Sequence, residues 1–217
     1  MSGASARIFL LSPADCSGKR AQLLQRDGAD FDLARALRSS AGARIGDVFA
    51  FMSSLYFRGK LAYARAFARP PHGVGGIHVI TPADGLRPPE SPLRVADIRR
   101  YAATPVDAGE ERYRAPLARD LEALVPRLDG TEVVLLGSVA SPKYTDLLTL
   151  ALGARLLFPV DFVGRGDMSR GGLLLRCVSE RRELGYVPVL GATVRGARPP
   201  RLPSINARRR ARPQGTP

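Results

Sequence analysis

Short apolar runs that stop abruptly at turn residues constrain this chain most. ARIFLL at 6–11, IHVIT at 77–81 and EVVLL at 132–136 are apolar at nearly every position. A strand of this kind leaves no face for water, so it belongs in a sheet covered on both sides, the usual setting of parallel strands. Shorter runs at 155–158 and 186–194 read as further strands. Between them lie helical stretches. Residues 32–39 and 47–51 are helical or mixed, with breaks at Gly42 and Gly46, and 55–68 has the spacing Leu61, Ala64, Phe67 before Pro70-Pro71 stops it. Residues 110–128 read as mostly helical, with Pro116 in the first turn or at a kink and Pro126 at the end. A helix at 143–152 is opened by Ser141-Pro142, and another at 173–183 carries Cys177. Three prolines keep 84–92 out of regular structure, and 164–172 is a glycine loop. Strands alternating with helices predict one α/β domain over 1–194, its sheet largely parallel or mixed and flanked by helices.

The charge is unevenly placed. The 217 residues carry a formal +13; seven arginines and no acid fall in 195–217, which leaves the body at +6. This Arg/Pro-rich tail has too few apolar residues to fold, so it reads as disordered and basic. A polyanion such as nucleic acid is the expected partner, partly through the tail, with a small anionic ligand as a further possibility. The run 8–11 is too short for a signal-peptide core or a membrane span, and nothing later approaches 18 apolar residues. The expectation is a soluble, cytoplasmic protein with no membrane partner. Two cysteines and two histidines exclude a disulfide scaffold and any multi-cysteine zinc site, so no metal site is assigned and no cofactor is identified.

The candidate chemistry gathers at predicted strand ends. Leu11-Ser12-Pro13-Ala14-Asp15 and Ile80-Thr81-Pro82-Ala83-Asp84 share one pattern, each closing a strand. In an open parallel sheet ligands sit outside the carboxyl ends of the strands, so Asp15 and Asp84, with Asp161, would face one crevice. There they would do acid/base work or hold a magnesium ion, or else merely cap turns. Positive charge is written as arginine thirty times and as lysine three times. Lys19 and Lys143 follow predicted strands and are candidate amines; Lys60 has less to recommend it. The stretch Gly164-Arg165-Gly166-Asp167-Met168-Ser169-Arg170 before a helix has the composition of an anion cradle, with Arg165 and Arg170 adding charge. Lys143 and Tyr144 sit between strand and helix and would face the same crevice. Cys16, beside Lys19 and Arg20, would be a nucleophile if its pKa were depressed. His78 reads as a core or edge histidine.

The ordered motifs resemble the bacterial peroxide stress protein family (YaaA-like). Ser12-Pro13-Ala14 matches the family's opening Ser-Pro-Ala-Lys, with Asp15 in place of the lysine. Asp84-Gly85-Leu86-Arg87-Pro88 is similar to its Tyr-Gly-x-Leu-Arg-Pro, and Ala140-Ser141-Pro142-Lys143-Tyr144 to its Ala-Ser-x-x-Tyr. Residues 164–170 resemble its Ala-Arg-Gly-x-Met-Ser-Arg, and Gly185-Tyr186 its closing strand. A fainter similarity points to archaeosine synthase and uracil-DNA glycosylase-like α/β domains. The resemblance implies a cytoplasmic protein of peroxide stress and iron limitation, with a basic cleft that binds DNA. On that reading Lys143, Tyr144, Arg165, Ser169 and Arg170 grip phosphates. The alternative is an enzyme acting on a nucleobase, nucleotide or other small anionic substrate, with Asp84 or Asp15 moving protons and Lys19 or Lys143 as amine.

Overall fold

Five consecutive apolar-flanked backbone units have nowhere to go but the middle of a sheet, and Arg7–Leu11 (β1) lies there with every residue buried. The computed structural model describes residues 5–139, 142–192, 196–197 and 199–200. Ile77–Ile80 (β3) and Glu132–Leu136 (β6) pair with β1 in parallel on either side, and Leu156–Pro159 (β7) pairs in parallel with β6. Leu86–Arg87 (β4) and Tyr186–Pro188 (β8) close the two edges as antiparallel strands, in the order β4-β3-β1-β6-β7-β8. The chain is one α/β domain with a mixed six-stranded sheet. Ala43–Arg44 (β2) and Pro92–Leu93 (β5) form a separate antiparallel pair.

Alternate residues of the strands feed two cores. Phe9, Leu11, Val134 and Leu136 pack beneath the helices Lys19–Gln25 (α1), Asp32–Arg38 (α2), Ile45–Phe67 (α3), Val95–Ala102 (α4) and Asp167–Glu180 (α7). Ile8, Leu10, Val133 and Leu135 pack against Glu111–Leu124 (α5) and Pro142–Leu152 (α6) on the other face. The chain leaves β1 toward β3 on one side and later enters β6 on the other. The carboxyl ends of β1 and β6 are therefore the point where the winding reverses, the place where open α/β sheets bind ligands.

Two helices on the first face cross closely enough to touch backbone to backbone. A Cβ on Gly171 of α7 would lie 2.6 Å from the Leu55 carbonyl oxygen, and one on Gly59 of α3 would lie 2.7 Å from that of Gly171. Only a pair of glycines permits this approach. The crossing sets Tyr56 and Lys60 of α3 against Arg170 of α7. Helix α3 is itself broken at Ser54, whose φ of 51° and ψ of −125° interrupt the helical run. The break frees backbone carbonyls in the preceding turn, and Arg20 donates to one of them, that of Phe51, at 3.1 Å. Helix resumes at Leu55, where the sequence pattern starts it.

Several expectations are corrected. Residues 84–92 contain β4 and the first residue of β5, Pro92, because two-residue edge strands tolerate proline where a central strand would not. The expected 186–194 strand ends at Pro188, with a turn at Gly191 (φ 76°) following. The glycine loop is shorter than 164–172, since α7 already begins at Asp167 and uses Gly171 for the crossing. Helices α1 and α4 stand where the sequence reading placed none. In α4, Asp97 accepts from the Arg94 backbone N–H at 2.9 Å and fixes the start. Pro116 lies past the first turn of α5, within the helix. Gly196 and Ala197 lie against Gly164, and most of the expected disordered tail, 195–217, falls outside the described residues. Among the described residues no helix is long and apolar enough to cross a membrane.

Candidate functional site

Strand β1 delivers Ser12 to the carboxyl edge, and there it meets a buried lysine. Lys60 is 1% exposed. Its Nζ lies 2.7 Å from the Ser12 carbonyl oxygen and 2.9 Å from Ser12 Oγ. The rings of Tyr56 and Phe57 flank it, their centroids 4.6 and 4.8 Å from Nζ. Burial pushes the amine down to about 7; Asp167 partly opposes the shift and Arg170 adds to it. No carboxylate among the described residues touches Nζ within ion-pair distance, so the usual partner of a buried ammonium is lacking. Nζ donates to the Ser12 carbonyl and to Oγ; in its neutral form its lone pair is available to the Ser12 hydroxyl.

The neighbouring groups are as closely placed. Gly137, just after β6, leaves room for Ser12 and for the Tyr144 hydroxyl; a Cβ there would stand 2.9 Å from each. Tyr144 is buried, which raises its pKa; its hydroxyl accepts from the Ser138 N–H at 2.9 Å and sits 3.0 Å from the Ser138 carbonyl oxygen. The Tyr56 hydroxyl is buried without a hydrogen-bond partner among the described residues, and burial raises its pKa above the usual phenol range. Arg170 lies nearby; its Nε and Nη2 donate to the Phe162 carbonyl at 3.3 and 3.2 Å, and its Nη1 stands 3.4 Å from Asp167.

Next to this buried cluster a cleft of about 350 Å³ opens, walled by 13–17, Pro82, the turn 101–106 and Lys143. It brings together two residues that the sequence reading named, Asp15 and Lys143. Asp15 is exposed, and its carboxylate accepts from the Ser17 hydroxyl at 2.7 Å and the Ser17 N–H at 2.9 Å, which hold its pKa below the ordinary value. Lys143 is exposed at the start of α6.

Other candidates stand apart or are already engaged. Burial alone would raise the Asp84 carboxyl, but Arg100 at 2.5 and 2.8 Å and the Tyr101 hydroxyl at 2.6 Å hold it low, so it is a poor base. The two similar strand-end loops thus differ: Ser12 meets an amine, while Thr81 closes its own turn through Gly85 and Asp84. Lys19 is the exposed first residue of α1 and does not line the cleft. Arg165 donates to the Asp161 carbonyl at 2.9 Å and to Ser169 Oγ at 3.2 Å, and Asp161 is exposed. Cys16 is corrected outright: burial, seconded by Asp15, raises its thiol to about 12, the reverse of a reactive thiolate. His78, on β3 next to the edge strand, is bonded to the Gly75 carbonyl at 2.9 Å. Among the described residues no group of three or more His, Cys, Asp or Glu side chains could hold a metal ion, and the Asp84 carboxylate is already engaged by Arg100 and Tyr101.

Sequence reasoning passed over Ser12, Tyr56 and Lys60. The available signal was the rarity of lysine: one of three in the chain falls in an apolar helical stretch directly after a glycine. No family model, no curated protein and no solved structure matches the chain.

Proposed function

We propose that the chain is an enzyme that binds a small anionic substrate, nucleotide-like or nucleobase-like, at the carboxyl edge of β1, β3 and β6. The observation that carries this reading is Lys60: a buried amine near 7 at the sheet's reversal point, bonded to Ser12, which directly precedes Pro13 in the wall of a cleft that Lys143 also lines. Holding an amine in an apolar interior costs stability, and groups with such perturbed pKa values gather at sites of chemistry. In this reading Lys143 meets the anion and Lys60 is the titratable group. Adenosine monophosphate, uracil and inorganic phosphate, each added in a thermal melt, test it. A ligand at about 100-fold over its Kd stabilises by about 2.7 kcal/mol, a shift of about 5–10 °C in a domain of this size. The expected result is a shift with a phosphate-bearing ligand, diminished by Lys143→Ala. No shift with any of the three, at concentrations up to several millimolar, overturns the reading.

A second reading is nucleic-acid binding in a cytoplasmic peroxide-stress role, as the family resemblance implies. It is favoured by the net charge of +13 and the seven arginines of 195–217. If about six phosphates are neutralised, log K for duplex DNA should fall against log salt with a slope of about −5. Ending the chain at 194 should then make the slope markedly shallower. An unchanged slope would assign DNA contact to the body, and salt-insensitive binding would dismiss the electrostatic account.

A further inference from the structure

We propose that Ser12 Oγ and Lys60 Nζ form a nucleophile–base dyad that transfers an acyl group from an anionic ester or amide to water. The proposal rests on the substrate site of the preceding section and names the chemistry done there. Its geometry is that of an activated hydroxyl: Nζ lies 2.9 Å from Oγ, and a second bond of 2.7 Å to the Ser12 carbonyl fixes the amine. Nucleophile and base within hydrogen-bond reach, with the base oriented by a third group, is the arrangement that nucleophilic catalysis requires. Serine–lysine pairs meet it without histidine, and neither histidine of this chain is at the site.

The surroundings fit the same chemistry. The neutral amine is favoured by burial against Tyr56 and Phe57; the charged groups facing it are Asp167 and Arg170, which act in opposite directions. The Tyr56 hydroxyl is a buried donor beside the Arg170 guanidinium. An oxyanion or substrate carboxylate would satisfy it. The missing Cβ at Gly137 lets Ser12 and the Tyr144 hydroxyl approach the backbone closely. Ser12, itself buried, directly precedes Pro13 in the cleft wall, and Lys60 reaches it from α3.

Nζ takes the Ser12 proton as Oγ bonds to the acyl carbon, and the leaving group departs with that proton, giving an acyl-serine. Water, deprotonated by Nζ, then adds to the acyl carbon; the Oγ–acyl bond breaks, the proton returns to Oγ and the free acid leaves.

A small alkyl fluorophosphonate tests the dyad on the full chain, because it phosphonylates an activated serine and releases fluoride. Intact mass and peptide mapping should place one adduct on Ser12, absent in Ser12→Ala. General-base assistance is worth about 10²–10⁴-fold, so Lys60→Met should slow labelling at least 100-fold. Should those variants fail to fold, the wild-type labelling rate still decides. It should rise with pH and level off above a midpoint near 7, whereas an unassisted hydroxyl gains rate with hydroxide throughout. An adduct elsewhere, a rate that never levels off, or no labelling overturns the dyad. If the anions of the preceding section bind but no label forms, this proposal fails alone. If neither occurs, the site itself is overturned.

Discussion

Gly171→Ala is expected to destabilise the protein by about 2 kcal/mol, while Gly172→Ala, one residue further along α7, stabilises it. The added methyl at 171 would lie 2.6 Å from the Leu55 carbonyl oxygen and 2.8 Å from Tyr56 Cα, both backbone atoms that cannot turn aside. The two helices must separate, an overpacking cost of about 3 kcal/mol at the upper end of its usual range. Replacing a mid-helix glycine by alanine returns about 1 kcal/mol. At Gly172 a Cβ meets nothing within 4 Å, so only the favourable part remains. Melting temperatures should therefore move in opposite directions, by about 4–8 °C down for Gly171→Ala and a few degrees up for Gly172→Ala. Equal shifts would mean that α3 and α7 do not cross at these glycines. The change at 171 would also draw Arg170 away from Tyr56 and Lys60, so labelling of Ser12 should change in that variant and not in its neighbour.

That crossing explains what the sequence concealed. The central strands were legible because apolar runs such as 7–11 and 132–136 have one stable destination, a sheet covered on both faces. The helix at 143–152 was legible from the proline at its start, and α6 indeed begins at Pro142. Helices α1 and α4, seven and eight residues long, have too few turns to establish a period. At the site, Asp15 and Lys143 were found by the rule that ligands sit at strand ends, and they line one cleft. Asp84 satisfies the same rule, yet its carboxylate is consumed by Arg100 and Tyr101, a pairing 16 and 17 residues away that no local pattern reveals. Lys60 escaped for the converse reason. A lysine in a helix is normally a solvated residue, and its burial follows from the close packing that Gly59 permits against a helix more than 100 residues later.

Lys60→Met should remove a pH dependence of stability that the wild-type protein carries. The folded-state pKa near 7 lies below the ordinary lysine value of 10.5, so between those limits the unfolded chain holds a proton that the folded chain has released. Stability then rises with pH across the window, and below about 7 both states are protonated and the cost of the buried ammonium is fully felt. Other groups act in the same range: burial raises the Cys16 thiol to about 12, and raised acids make stability fall as pH increases. The diagnostic quantity is thus the difference between wild type and variant in urea unfolding, not either curve alone. One pKa unit corresponds to about 1.4 kcal/mol, so this difference should climb by about that much per pH unit between pH 7.5 and 9.5. Methionine fills nearly the same volume without a charge, but it leaves the Ser12 carbonyl and hydroxyl without their shared partner, a loss of about 1–3 kcal/mol. Near pH 6 the relief of the buried charge offsets that loss, and the variant should approach or exceed wild-type stability. Near pH 9.5 the wild type should be clearly the more stable. A flat difference curve would mean that Lys60 stays charged in the folded protein, and a charged Lys60 cannot take the proton of Ser12.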